Sequence, residues 1–282
     1  MLRFAYNTNG CSNHRLDDAL ELIAEAGYQG VALTLDHHHL DPFADGYEAH
    51  AESLAKRLGE LDLALVVETG ARYLMDPRHK HEPTLLHPSE EGRARRIDFL
   101  ARAVTVARIC KAEAVSFFAG RPQRGVSQQN AGAWLLDGLA KVANLGAGAN
   151  VVVALEPEPG HMVATLDDFQ LVRDALKQMT DAPLALALDT GHCLVTGDRE
   201  PASAVKEFAP VLGAVAIEDM RRGVHEHLPF GEGDMDVPAV LAALDEVGYE
   251  GLVSVELSRE SHRAHEIIPR SMDYLLENLP SD

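Results

Sequence analysis

The sequence predicts an α/β protein folded as a single closed (β/α)8 barrel, and three observations carry that prediction. Eight short apolar runs alternate with stretches of helical periodicity along the 282-residue chain. No composition break or Pro/Ser-rich linker divides it, so residues 1–282 read as one domain. Several runs stop abruptly in an acid, at the strand ends where a parallel barrel builds its site. A doubly wound open sheet calls instead for a Gly-rich phosphate turn after the first strand, and Asn7-Thr8-Asn9-Gly10 is not one.

Arg3 to Asn7 alternates as the first strand, and Asp17 to Ala26 carries apolar residues at helical spacing until Gly27 stops it. Gly30 to Leu35 is the second strand. It runs into Asp36-His37-His38-His39, where adjacency keeps the three imidazoles from all facing one point. A helix from Tyr47 to Leu61 leads to the third strand, Ala64 to Glu68. The connection after Glu68 lacks periodicity and is rich in cationic and imidazole groups. Such connections are usually functional or mobile, and two readings stand for this one: a solvated charge run, or a wall from which Arg72, Arg78 or Lys80 reaches over the barrel mouth to hold an anionic or polyhydroxyl substrate.

A helix from Ser89 to Ile109 precedes the fourth strand, Ala114 to Phe118. The next helix, Gln128 to Leu145, is stopped by Gly146 and Gly148 ahead of the fifth strand, Val151 to Glu156. Thr165 and Asp168 are spaced as a capping box for a helix reaching Met179. Leu184 to Asp189 is the sixth strand and Gly213 to Ile217 the seventh, followed by Glu218-Asp219 and a polar loop. Val237 to Val247 is a helix stopped by Gly248, Leu252 to Glu256 is the eighth strand, and Ala264 to Leu279 closes the chain as a helix.

Lys plus Arg number 25 against 44 Asp plus Glu, a formal net charge of -19. A field of that sign repels phosphate backbones, so nucleic acid is not an expected partner. No apolar run approaches the roughly 20 residues of a membrane span, and Met1-Leu2-Arg3-Phe4 reads into a strand rather than a signal peptide. A cytoplasmic protein is therefore expected. The three cysteines, Cys11, Cys110 and Cys193, are scattered and offer neither a disulfide framework nor a thiolate zinc site.

Glu68, Glu156, Asp189 and Glu256 each end a strand. Like charges converging at the ends of buried strands are costly unless compensated, and a divalent cation is the natural compensation. Carboxylates with imidazoles suit Mn, Mg, Co or Zn. The plainer alternative is that each acid only caps the helix that follows it.

The chain resembles the xylose isomerase-like, endonuclease IV-like TIM barrels, which include sugar and sugar-phosphate isomerases and epimerases. The resemblance is carried by Ala154-Leu-Glu156, Asp189-x-x-His192, Glu218-Asp219, His227-Leu-Pro-Phe-Gly-Glu-Gly and Gly248-Tyr-Glu-Gly-Leu-Val-Ser-Val-Glu256. It implies that Glu156 and Glu256 are metal ligands and the paired acid/base groups, with Asp189 a third ligand. It further implies that His192 contacts a substrate oxygen and that Arg221 or Arg222 binds substrate. The chemistry implied is proton removal and return through an enediolate, on a carbon next to a metal-held carbonyl.

Family members usually carry a metal-binding His three residues before the acid aligned here with Asp219, and this chain has Ala216 at that place. In the endonuclease branch an Asp-x-His pair joins a His equivalent to His192 on a further zinc. By that comparison the site is completed either by His227 or by His192, His225 and His227 together. The endonuclease branch also uses histidines where Glu68 and Phe118 stand here, which argues against a trinuclear zinc nuclease. Arg259, with Ser258, Ser261 and His262, follows the eighth strand and is expected to face the same mouth. Together with Glu68 and Arg72 it makes up the remaining candidate substrate contacts.

The expected function is a divalent-metal-dependent isomerase or epimerase of a sugar, cyclitol or related polyhydroxy carbonyl compound. A keto-cyclitol dehydratase or lyase on the same site, an endonuclease IV-like nuclease and a non-catalytic sugar-binding barrel are the alternatives. The expected partner is a small polyhydroxy molecule, with no membrane; a homo-oligomer stays open.

Overall fold

The computed structural model describes residues 1–280. Eight parallel strands close a barrel: β1 (Arg3–Asn7), β2 (Gly30–Thr34), β3 (Ala64–Glu68), β4 (Ala114–Phe118), β5 (Val152–Glu156), β6 (Ala185–Asp189), β7 (Leu212–Ile217) and β10 (Leu252–Val255). Neighbours in sequence are neighbours in the barrel, and β1 pairs with β10 to close it. A separate antiparallel pair, β8 (Asp219–Arg221) and β9 (Val224–Leu228), stands beyond the end of β7. Among the described residues no helix is long and apolar enough to cross a membrane.

Successive strand residues point to opposite faces, and the barrel sorts its two faces by size and polarity. Large outward residues such as Phe4, Tyr6, Leu33, Leu65 and Val67 pack into the main core. The inward residues form a second cluster of their own, made of Ala5, Ala32, Val66, Ala114, Ala154, Ala187, Ala214 and Leu252. Two residues further along the same inward faces come Asn7, Thr34, Glu68, Ser116, Glu156, Asp189, Ala216 and Ser254. Register ties this rung together: Thr34 pairs with Glu68, Glu68 with Ser116, and Ala216 with both Asp189 and Ser254. A floor of small side chains thus carries a rung of polar groups at the carboxyl ends of the strands.

The helices follow the predicted order with three departures. The helix predicted to stop at Gly146 continues to Ala149, as α4 (Gln128–Ala149), and Asn150 in the left-handed region caps it. Gly146 serves close packing there, since a Cβ would lie 2.8 Å from the Val151 carbonyl and 2.7 Å from Val153 Cγ1. Two short helices, α6 (Thr190–Thr196) and α7 (Pro201–Phe208), replace a single connection between β6 and β7. The polar loop predicted after Asp219 is the β8–β9 hairpin. Elsewhere the capping box of α5 (Leu166–Leu176) is formed, with Thr165 and Asp168 each bonding the other's backbone.

Candidate active site

Asp189 ends β6 and at the same time caps α6: its Oδ1 accepts from the His192 N–H at 3.0 Å. The capping alternative therefore describes one oxygen of this acid. The other, Oδ2, is buried and has no hydrogen-bond partner. The capped turn carries the His192 ring back over the strand end, with Nε2 3.3 Å from Asp189 Oδ2. Nδ1 of His192 lies 2.9 Å from the Pro157 carbonyl, which can only accept. Nδ1 thus carries a proton, and Nε2 faces Nε2 of His225 at 3.1 Å.

His225 and His227 share one face of β9, two residues apart. The hairpin that presents them is held by Asp219, which accepts from the Gly231 and Met235 N–H groups at 2.9 Å each. Glu218, just before it, is fully buried, and neither of its carboxylate oxygens has a partner. His227 Nδ1, also unpartnered, lies 3.8 Å from Glu218 Oε2.

Single ligand atoms of Asp189, Glu218 and His227 all lie within 4.8 Å of one another. The same holds for Glu156, Asp189 and His192, and for His192, His225 and His227. Asp189 Oδ2, both Glu218 oxygens and His227 Nδ1 are thus buried polar atoms without hydrogen-bond partners, and one such atom from each residue comes within 4.8 Å of the others. Buried polar atoms are seldom left so, and a carboxylate and imidazole set of this kind fits a hard or borderline divalent cation.

Electrostatics sharpen the point. Burial pushes the Glu218 carboxyl well above the ordinary range, and Asp189 adds to it. Burial does the same for Glu156, reinforced by Glu158 and Asp189. Burial and Glu256 lift Glu68 to about 8. Asp189 alone is held below the usual value: burial opposes this, but His192 and His227 outweigh it. Burial works against a charged His227, yet Glu218, Glu256 and Asp189 together raise it to about 10. Protonated His227 is therefore the charge that balances these acids in the absence of a metal ion.

Above this floor opens a cavity of about 500 Å³, the size of a small-molecule site. Glu68, Glu156, Glu158, Glu256 and His192 line one part of it, and Arg72, Lys80 and His81 another. Asn9 Nδ2 donates to Glu256 Oε1 at 2.8 Å and so orients that carboxylate. The cations come from the long connection after β3, whose backbone takes positive φ at Ala71 (58°), Arg72 (26°) and His81 (68°). Such angles in non-glycine residues cost about 1–3 kcal/mol each and persist only where surrounding contacts impose them. The His81 ring bonds the Gly70 carbonyl, and the His81 backbone N–H donates to the Arg72 carbonyl at 2.5 Å. Beneath, fully buried Arg96 of α3 (Glu90–Cys110) donates to the Thr69 carbonyl at 3.1 Å, with its guanidinium over the Phe118 ring.

The structure brings Glu68, Glu156, Asp189, His192, His225, His227, Glu256, Arg72 and Arg259 to this mouth. Arg259 is paired there with Glu226. Glu256 lines the cavity but joins none of the close ligand groups among the described residues. Arg222 is not among the residues brought to this mouth: its guanidinium forms two bonds to Glu200, at 3.0 and 2.9 Å, on the exposed surface, and it does not line the cavity. The reason is the tight β8–β9 turn, which carries Arg222 to the hairpin tip. Sequence reasoning missed Glu158, Asn9 and His81 at the cavity wall and, among the close ligand groups, Glu218. Counting by two along β7 from Ala214 through Ala216 puts it on the inward face, and that count was the available signal.

A family model described as xylose isomerase-like TIM barrel matches residues 20–278. An inosose dehydratase of Clostridium beijerinckii is 28% identical over 144 residues, 45% of this chain and 47% of that protein. A 2-oxo-tetronate isomerase of Cupriavidus necator is 28% identical over 163 residues, 56% of this chain and 59% of that protein. The chain thus spans about half the length of the curated relatives it matches. A solved L-ribulose 3-epimerase superposes with a TM-score of 0.78 at 18% identity, covering 99% of this chain and 95% of that one.

Proposed function

The chain belongs to the xylose isomerase-like TIM barrel family, and from that premise we propose that it is a divalent-metal-dependent isomerase or epimerase of a polyhydroxy carbonyl compound. The observation that carries this reading is the group of buried, donorless ligand atoms on Asp189, Glu218 and His227 beneath an acid-lined cavity. Glu156 and His192 adjoin them and complete the ligand candidates, with His225 next in reach. A divalent cation bound there supplies Lewis-acid polarisation of a substrate carbonyl, which acidifies the neighbouring C–H.

The chain's own groups do the rest. Glu156, at the end of β5, and Glu256, oriented by Asn9, are the acid/base pair that removes and returns the proton through an enediolate. His192, locked by the Pro157 carbonyl into one tautomer, presents Nε2 toward the site. Deuterium from solvent entering the substrate carbon next to the carbonyl, lost on chelation and restored by metal, is the expected result. A purified chain that binds no divalent ion on titration would sink the reading.

The likeness to a protein named inosose dehydratase favours one second reading, dehydration of a keto-cyclitol after the same proton abstraction. Loss of water from the substrate instead of simple exchange identifies it by NMR. Together with the net charge of -19, the small acid-lined cavity supports a soluble small-molecule enzyme of the cytoplasm over a nucleic-acid enzyme.

A further inference from the structure

The proposed chemistry uses only the acidic side of the cavity. Arg72 and Lys80 also line it, and among the described residues neither is ion-paired. The side-chain bonds of Arg72 go to neutral oxygens and are long, 3.4 Å to Ser12 Oγ and 3.3 Å to the Asn9 carbonyl. Arg259, the other arginine lining the cavity, already has Glu226. In a chain of net charge -19 acids are abundant, so an unpaired, half-buried Arg72 in this cavity, with the exposed and equally unpaired Lys80 at its rim, needs a reason.

Three features show that this wall is built. Positive φ at Ala71 and Arg72 turns the connection back over the mouth. The His81 backbone and ring hold that turn from one side. Arg96 holds it from below through Thr69, and is itself fully buried with Nε and Nη1 unpartnered, so a further positive charge stands behind the wall. The wall is also close to the reacting groups, because Asn9 accepts from Arg72 through its carbonyl and donates to Glu256 through its amide. A neutral sugar needs hydroxyl partners rather than cations, and polar uncharged side chains, Asn7, Thr34 and Ser116, line the same cavity.

We propose that Arg72 and Lys80 form an anion subsite and that the substrate is an anionic polyhydroxy carbonyl compound, bearing a carboxylate or a phosphate ester. The inference rests on the isomerase reading for where the reacting carbon lies. Arg72 offers the planar fork that matches either oxyanion, and the more exposed Lys80 adds a point charge at the rim.

The test is calorimetric titration of the metal-loaded full chain with D-fructose, D-fructose 6-phosphate, D-fructose 1-phosphate and 2-keto-D-gluconate. At least one anionic probe should bind about tenfold or more tighter than fructose. R72Q should weaken that probe by about ten- to a hundredfold, and fructose by much less. R72K, which keeps the charge but loses the fork, should recover part of the anion preference and shows that the position tolerates substitution. Preference confined to the phosphates identifies the ester, and preference confined to 2-keto-D-gluconate identifies the carboxylate. Fructose binding as well as every anion, no anion binding below about 10 mM, or R72Q weakening all probes alike overturns the proposal. Deuterium exchange is read separately on the same samples. Arg72-dependent anion binding without exchange removes the isomerase reading and keeps the subsite; exchange into fructose without anion preference does the reverse.

Discussion

Adding Zn or Mn to the metal-free chain at pH 7 should release protons, and the number follows from the floor of the cavity. His227, raised to about 10, is neutral in only about one molecule in a thousand at pH 7. A ligand nitrogen must give up its proton to bind, so His227 contributes about one proton. Glu218, pushed well above the ordinary carboxylate range, contributes up to one more. Displacing the His227 proton at pH 7 costs about 4 kcal/mol, so the apparent affinity should rise about tenfold per pH unit, and more steeply if Glu218 also deprotonates. Calorimetry in buffers of different ionisation enthalpy counts the protons directly, and H227N should lower the count by about one. No proton release, with affinity flat between about pH 6 and 8, would refute a metal site built on His227 and Glu218.

Other consequences separate the roles of single residues. A Cβ at Gly191 would lie 2.2 Å from Glu218 Oε1, so G191A should displace that carboxylate and lower metal affinity by about tenfold or more; unchanged affinity by titration would remove Glu218 from the ligand set. E256Q should cut solvent deuterium exchange by about 10²–10⁴ while metal content stays, since Glu256 joins none of the close ligand groups; loss of metal on elemental analysis would make it a ligand instead. R222A should leave exchange kinetics within about twofold, because its partner Glu200 lies on the exposed surface. Above pH 7, where the buried rings of His39, His81, His161 and His225 are already neutral, the metal-free chain should lose thermal stability as pH rises. The stabilisation from His227 is complete below its ordinary 6.5 and is lost as pH climbs through about 10. Glu68 keeps its proton to about 8 whereas the unfolded chain releases it near 4.5, so stability also falls across that window. A melting temperature that rises from pH 7 to 9 without metal contradicts both assignments.

The barrel was legible because its strands and most of its helices announce their ends locally, as with the Thr165–Asp168 box and the Ser89 cap of α3. The strand-end acids and His192 were legible for the same reason, since a strand's last residue and the turn after it lie at the mouth wherever the strand sits. What sequence could not show is pairing across the chain. Arg222 meets Glu200 22 residues away, and the hairpin that carries it depends on Asp219 reaching Gly231 and Met235. Between the adjacent acids Glu218 and Asp219 composition offers no choice; the pleat decides. One faces the barrel interior without partners and the other anchors a hairpin by two backbone bonds. The same pleat bears on the missing seventh-strand histidine. Ala216 sits on the inward face between Asp189 and Ser254, and the next inward position along the chain is Glu218. His227 comes back from β9 to meet Glu218 there. A small residue at 216 thus leaves the ligand position to be filled from one rung higher and from the hairpin, and the hairpin's stability then becomes part of the metal site. Substituting Asp219, which touches no candidate ligand group, should therefore weaken metal binding through His227, and more than a change at Arg222 does.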